Sequence, residues 1–309
     1  MKTSKAKKAK KVLLGFLCVI LAILLVGTAV ECFYVPHYLR NQEPISPKLT
    51  NESGEVRVMS ANLRCWSPDD LGKKSWFYRA PLIAKNIEAE APSVIGFQEV
   101  NKWQYNFLCK VLPDYDSIIT FRDTSVVSEG CPIFFSKNLY NLVDKGSFWL
   151  SKTPDKMSKD WDSACYRVCS YAILQDKESE KKFVVFNTHL DHVSEEARIE
   201  GIKVVLKKIE EFGGYPAMLM GDFNAEEDTA TYKSATEIFN DAKYLAEKAE
   251  GIHSATYQNW GTQLEREPID YLMISKKGFD VESFKVVDRT FDGVYASDHF
   301  PIMAELELN

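Results

Sequence analysis

A chain of 309 residues with 45% apolar and 12% aromatic side chains has ample material for a packed core, which excludes a wholly disordered protein. Six of its 38 basic residues lie between Lys2 and Lys11, so beyond residue 11 only 32 remain against 44 acidic ones. That surplus argues against a sequence-blind clamp on polyanions, which works by counterion release, although a bound cation reverses the field locally. Seven scattered cysteines match no disulfide framework and include no C-x-x-C pair. Mostly reduced, buried thiols are expected, with Cys165 and Cys169 either paired or merely packed.

Residues 1–11 form a basic tail, and Val12 to Val30 carries no charge over 19 residues. A bilayer core needs about 20 apolar residues at 1.5 Å each, so 12–31 is expected to span a membrane. Lysines before the span and Glu31 after it place the amino terminus in the cytoplasm and the rest outside. A cleaved signal peptide is the competing reading, with Gly27-Thr28-Ala29 as its cleavage site and a secreted product as its consequence, but the apolar stretch is longer than such segments carry. Cys32 follows Glu31 rather than a small residue, which argues against a lipoprotein. Residues 32–54, with prolines at 36, 44 and 47, read as a linker, and 55–309 as one folded domain.

Within that domain the runs Val56 to Ala61, Val94 to Gln98, Pro132 to Ser136, Arg167 to Leu174, Phe183 to Phe186, Ala217 to Met220, Ile269 to Ile274 and Phe300 to Leu308 read as short buried strands. Helical stretches separate them singly. The clearest is Glu195 to Phe212, where Ile199, Ile202, Val205, Leu206 and Ile209 recur at helical spacing behind Ser194 as a cap. This order predicts an α/β sandwich of two β-sheets flanked by helices, preceded by one transmembrane helix.

Three polar clusters, Asn187-Thr188-His189-Leu190, Gly221-Asp222-Phe223-Asn224 and Ser297-Asp298-His299, each read as standing at the carboxyl end of an apolar run, and α/β enzymes place their chemistry at such strand ends. Asp222 and Asn224 follow a buried run, so both reach one cleft if the strand geometry persists. A plain Asp/Asn turn is the alternative. A calcium loop is excluded, because Glu227 stands where Gly is needed and Lys233 where the closing Glu belongs. Asp298-His299 sits beside the last strand, and Asp270 is placed to orient that imidazole through its second nitrogen. His189 and His192 lack the Glu and the spacing of a zinc helix, so His189 is assigned to the cleft and His192 to its rim or to structure. Asn62 and Glu99 end two further strands. A carboxylate with an amide suits magnesium, which takes few protein ligands and prefers oxygen.

Ser60-Ala61-Asn62, Gln98-Glu99, Asn187-Thr188-His189, Gly221-Asp222-Phe223-Asn224, Ile269-Asp270-Tyr271 and Ser297-Asp298-His299, in that order, resemble the endonuclease/exonuclease/phosphatase superfamily, which includes pancreatic deoxyribonuclease, abasic-site endonucleases, inositol polyphosphate 5-phosphatases, neutral sphingomyelinases and deadenylases. The segments Gly146 to Ser151 and Trp161 to Cys165 resemble a bacterial branch of it. The resemblance implies a four-layer α/β sandwich and magnesium-dependent hydrolysis of a phosphoester, with manganese as the alternative ion. Glu99 would be the principal metal ligand, helped by Asn62 and Asp298. Asp222 would activate the water, Asn224 align it and His189 contact phosphate, while His299 and Asp270 would face the scissile group. Arg167 would clamp a phosphate, or else form a surface salt bridge. The sequence departs from some relatives at Arg64-Cys65-Trp66, where an acidic residue can occur. Nucleic acid is the first substrate class implied and a phosphorylated lipid or inositol headgroup the second. A catalytically inactive surface-binding module is the reading from another class.

Overall fold

Most of the strands are buried on both faces, which is why they read as near-continuous apolar runs rather than as an alternation. The computed structural model describes residues 2–49 and 53–309. In chain order the strands are β1 (Glu55–Asn62), β2 (Val94–Gln98), β3 (Tyr115–Ile118), β4 (Ile133–Ser136), β5 (Tyr140–Trp149), β6 (Val168–Asp176), β7 (Lys182–His189), β8 (Ala217–Asp222), β9 (Phe239–Asp241), β10 (Lys248–Glu250), β11 (Asp270–Ser275), β12 (Phe279–Val286) and β13 (Ile302–Leu308). The α-helices are α1 (Lys2–Ala29), α2 (Val35–Arg40), α3 (Trp76–Glu90), α4 (Lys102–Val111), α5 (Glu195–Glu211), α6 (Ala230–Ile238) and α7 (Ala242–Leu245).

One sheet runs β10-β12-β13-β1-β2-β4-β3 and the other β5-β6-β7-β8-β11-β9. The period-two alternation of strand side chains sorts the core into layers. Phe183 and Val185 of β7 and Met218 and Met220 of β8 share a cluster with Val56, Val58, Val94, Ile133 and Phe135 of the opposite sheet. Their neighbours Val184, Phe186, Ala217 and Leu219 pack instead with Ile202, Val205 and Leu206 of α5 and with Tyr232 and Ala235 of α6. On the far side of the first sheet Tyr105 of α4 lies 5.9 Å from Phe134 between ring centroids, and Trp76 of α3 meets Phe107 of α4 edge-on at 5.5 Å. The result is helix, sheet, sheet, helix, the expected sandwich.

Helix α5 begins where the cap was expected, with Ser194 Oγ accepting the Ala197 N–H at 3.1 Å. The chain divides into two compact units, Met1–Pro44 and Ile45–Asn309. In the first, α1 contains a 20-residue stretch, Lys10–Ala29, of mean hydropathy 2.9, long and apolar enough to cross a membrane. The helix continues through a π turn, Val30–Tyr34, into α2, so residues 32–40, read from sequence as linker, are helical. The second unit begins before Glu55, since the Ile45 N–H already donates to Val111 O at 2.8 Å. No disulfide occurs among the described residues, where Cys18 and Cys109 are exposed and only Cys131 and Cys169 are buried. The expectation of mostly buried thiols therefore fails.

Candidate active site

Strand register decides which side chains meet. Parallel pairing sets Asn62 opposite Gln98, the residue before Glu99, and His189 opposite Asp222. Strand β11 runs antiparallel to β8, so its first residue, Asp270, lies opposite Asp222. Strand β13 is antiparallel to β1, and the Ser297–His299 loop that precedes it reaches the same rim. The sequence reading put the Ser297-Asp298-His299 cluster at the carboxyl end of an apolar run. It sits instead, like Asp270, at the amino end of a strand, and reversal of strand direction brings both to the same place.

The floor beneath this rim is a polar stitch between the sheets. Buried Asn187 donates from Nδ2 to Phe97 O and Pro132 O, both at 2.8 Å, and accepts from Gln98 Nε2 at 2.7 Å. A buried amide satisfied in this way fixes the two sheets in one register. Close approach demands two glycines. A Cβ on Gly96 would fall 2.6 Å from Met220 Sδ, and one on Gly221, at φ 148°, would fall 1.9 Å from Thr188 O.

Above the floor lies a cleft of about 590 Å³ lined by seven of the residues singled out from sequence: Glu99, Arg167, His189, Asp222, Asn224, Asp298 and His299. Asn62 and Asp270 stand behind it. Asn62 donates from Nδ2 to Glu99 Oε1 at 3.1 Å and to Asp222 Oδ2 at 2.9 Å, while its oxygen accepts the Arg64 N–H at 2.9 Å. Asn62 thus turns its amino group, not its oxygen, to the carboxylates. Glu99 Oε2 accepts the Cys65 N–H at 2.9 Å. Asp270 Oδ2 lies 2.8 Å from His299 Nδ1, and His299 Nε2 lies 3.7 Å from Asp222 Oδ2. Asn224 donates to Leu190 O at 3.1 Å and lies 2.9 Å from His189 Nε2, which is itself 3.5 Å from Asp222 Oδ2. Asp298 Oδ2 is 4.0 Å from Arg64 Nε, whose closer partner is Asp70 at 3.1 Å. Arg64, Glu99 and Asn224 all hold left-handed backbone, at φ 54°, 60° and 48°.

Burial and mutual charge separate the groups. Burial opposes the Glu99 charge, but the Cys65 N–H, the His299 cation, the Asn62 amide and Arg64 hold its carboxyl below the usual range. Burial and then the Asp270 charge push Asp222 up to about 7. Burial also raises Asp298. It opposes charge on His299 too, yet Asp270, through charge and hydrogen bond, carries that imidazole to about 10. His189, buried beside the Arg167 and His299 cations, is held well below its ordinary value and is neutral.

These residues suit a hard divalent cation. The carboxylates offer oxygen donors, burial leaves Asp222 and Asp298 with charge to offset, and Asp270 Oδ1 is buried without a hydrogen-bond partner. Asp222, Asp270 and His299 also offer atoms within 4.8 Å of one another, but His299, protonated between the two carboxylates, has no lone pair to give.

A second wall was not legible from sequence. Arg122 donates through both terminal nitrogens to Glu129 at 2.8 Å, and both line the cleft from the loop between β3 and β4. Arg167 is buried, 3.5 Å from Asp191 Oδ2 and 2.9 Å from His192 Nδ1, so it is not a surface salt bridge. Tyr257 and Arg266 complete the opposite side. No local motif marks Arg122 or Glu129. Their role follows from where a loop of ordinary composition passes.

Two sheets packed face to face, with carboxylates, amides and imidazoles raised to one rim beside arginines, define a phosphoester hydrolase of the α/β sandwich kind. The chain belongs to the Endonuclease/Exonuclease/phosphatase family, whose sequence model matches residues 72–299. It is similar to a Bacteroides vulgatus endonuclease/exonuclease/phosphatase of known structure, at 32% identity and TM-score 0.78 over 82% of this chain and 99% of that one. A Bacteroides thetaiotaomicron mannosyl-6-phosphatase matches at 30% identity and TM-score 0.76, over 81% of this chain and 99% of the other. An uncharacterized protein of Acanthamoeba polyphaga mimivirus is 31% identical over 75% of this chain and 92% of its own length. Human Nocturnin is 24% identical over 67% of this chain, which spans about half of it, 51%.

Proposed function

We propose that this chain is a divalent-cation-assisted hydrolase of small phosphate esters whose leaving group is a sugar or another polyol, held at a membrane by α1 with its catalytic unit outside the cytoplasm. The observation that carries the chemistry is the convergence of half-buried Glu99 with buried Asp222, Asp298 and His299 on one cleft. Magnesium is the favoured ion and manganese the alternative. Bound there, the ion would act as a Lewis acid on the phosphoryl oxygens.

Glu99 is the better anchor for it than His299, because the imidazole faces Asp270 and Asp222 on its two nitrogens and is held protonated. Asp298 is the second ligand. Asn62, by its amino group, keeps Glu99 and Asp222 in register rather than ligating. Asp222 accepts the proton of the attacking water, its pKa lying near the working pH as a general base requires. Asn224 and neutral His189 bind phosphoryl oxygen and water, and His299, cationic through Asp270, offsets charge on the phosphoryl group.

For the substrate, sequence resemblance points first to nucleic acid. The cleft points elsewhere. About 590 Å³ is the size of a small-molecule site. The paired Arg122 and Glu129 offer donors and acceptors together, as vicinal hydroxyls need, and the chain beyond its lysine tail is strongly acidic. The mannosyl-6-phosphatase likeness supports the same class.

The test measures phosphate release by the full-length chain in mild detergent from mannose 6-phosphate, inositol phosphates and phosphoinositide vesicles, and strand cleavage of plasmid DNA and RNA by gel, with magnesium or with chelator. Chelator-sensitive release from soluble sugar or inositol phosphates identifies a free ester as substrate, and release only from vesicles identifies a lipid headgroup. Cleavage of nucleic acid alone refutes the reading. Glu99→Ala and His299→Ala should each lower turnover at least about 100-fold.

A further inference from the structure

Helix α3 buries a full positive charge. Its apolar stripe, Trp76, Ala80, Ile83, Ala84 and Ile87, includes Arg79, which is 0% exposed. No carboxylate lies within ion-pair distance of Arg79 among the described residues. Its partners are backbone carbonyls of three separate segments: Nε donates to Lys74 O at 2.7 Å, Nη1 to Leu63 O and Ala296 O, both at 2.8 Å, and Nη2 to Arg64 O at 3.1 Å. Leu63 and Arg64 follow Asn62, and Ala296 precedes the Ser297–His299 loop. One guanidinium therefore ties together the two loops that bring Asn62, Asp298 and His299 to the cleft.

A third loop closes over it. The Trp260 ring lies 5.3 Å from the Arg79 guanidinium carbon, on a backbone where Asn259 and Trp260 both hold left-handed φ, 45° and 58°. Two consecutive non-glycine residues in that region are strained and persist only where the surroundings over-determine them. Here they do. Gln258 Nε2 donates to Ser297 O at 2.7 Å, the Gln258 and Asn259 N–H groups both donate to Asp298 O, and the Gly261 N–H returns to Gln258 Oε1 at 2.7 Å.

We propose that Arg79, capped by Trp260, is a positioning residue that fixes the spacing of the Glu99–Asn62 side of the cation site against Asp298 and His299, and so sets divalent-cation affinity. Only a planar fork can reach carbonyls on three segments at once. A lysine supplies the charge but not the span. The inference rests on the cation-assisted reading above.

The experiment measures magnesium binding by calorimetry, and tryptophan emission on magnesium addition, for the full-length chain in detergent with wild-type Arg79, Arg79→Lys, Arg79→Met and Trp260→Leu. Partners that orient a metal's ligands are worth about 10–100-fold in affinity, so both Arg79 variants should bind magnesium about 10–100-fold more weakly, with KM at saturating magnesium unchanged and kcat reduced. Trp260→Leu, which leaves every Arg79 hydrogen bond in place, should fall between them and wild type. Wild-type affinity in Arg79→Lys overturns the clamp in favour of charge alone. Should the Arg79 variants fail to fold, Trp260→Leu decides: weakened binding supports the clamp and unchanged binding overturns it. A wild-type chain that binds no divalent cation refutes the cation-assisted reading and the clamp with it, whereas binding unchanged in every variant refutes the clamp alone.

Discussion

Replacing Asp270 by Asn removes the charge that faces His299 Nδ1 at 2.8 Å and keeps the side chain's shape. In the native chain Asp270 outweighs burial and holds His299 at about 10. At pH 7.5 such a group is more than about 99% protonated, whereas one at the ordinary 6.5 is about 10% protonated, and burial lowers that fraction further. Population alone therefore predicts a fall in kcat/KM of up to roughly tenfold, since Asp222 and Asp298 still favour the cation, and loss of the charged partner that orients it at the phosphoryl group brings it to about 100–1,000-fold. The sign of the pH dependence follows. His299, raised in the folded chain, stays cationic until pH passes its folded value, so the wild-type rate declines on the alkaline side only near pH 10. In Asp270→Asn that decline moves to lower pH, because burial is then opposed only by Asp222 and Asp298. Asp222 loses the repulsion of Asp270 at the same time, which moves the acid limb downward as well. The optimum should shift toward acid by more than about one pH unit, measured as phosphate release between pH 5 and 9 with circular dichroism as the control for folding. Activity within about threefold of wild type at pH 7.5, on an unchanged profile, would show that His299 does not act as a cation.

Asp191→Ala strips buried Arg167 of its carboxylate and leaves the Val193 and Ser194 N–H groups without their acceptor, costing about 3–5 kcal/mol and roughly 10 °C in Tm; a change under about 2 °C would refute the pairing. Although burial opposes its charge, the Ser194 and Val193 N–H groups and Arg167 hold Asp191 below the usual carboxylate range, so its contribution is present above about pH 4 and fades as pH falls. Asp241 has the opposite sign: burial raises it to about 6, so stability should decline from about pH 4 to 6 by on the order of 3 kcal/mol, and Asp241→Asn should flatten that slope in urea titrations. Gly221→Ala drives a Cβ into Thr188 O at 1.9 Å and should cost at least about 3 kcal/mol by thermal melt, with loss of turnover through the displaced Asp222.

Much of the architecture was legible because buried strands are short apolar runs and polar residues interrupt them where chemistry is held. Seven of the nine singled-out residues line one cleft, although no sequence pattern states that β11 and β13 run against their neighbours. The Ile269 to Ile274 run was readable, but which rim its Asp270 end faces was a matter of sheet order. Arg122 and Glu129 were invisible because a loop's path is set by tertiary contacts such as Trp149 Nε1 on Arg122 O at 2.8 Å. Arg79 did leave a signal. It sits at the i+3 position after Trp76 on a helical stripe that is otherwise apolar, where a charge needs a reason.

Part of the backbone strain lies where the chemistry is placed. Arg64, Glu99 and Asn224 all line the cleft in left-handed backbone, and at about 1–3 kcal/mol each they draw on a large share of a domain's net stability. A glycine at position 224 would relieve its share. It would also delete the amide that contacts Leu190 O and His189, so that position trades stability for alignment. The trade is tolerable because the strained residues follow strands β1, β2 and β8, whose side chains are locked between two sheets and fastened by Asn187 beneath. A site assembled from the ends of rigid strands holds its carboxylates at fixed separations before any ligand arrives, and the energy that keeps them there comes from the core rather than from the ligand.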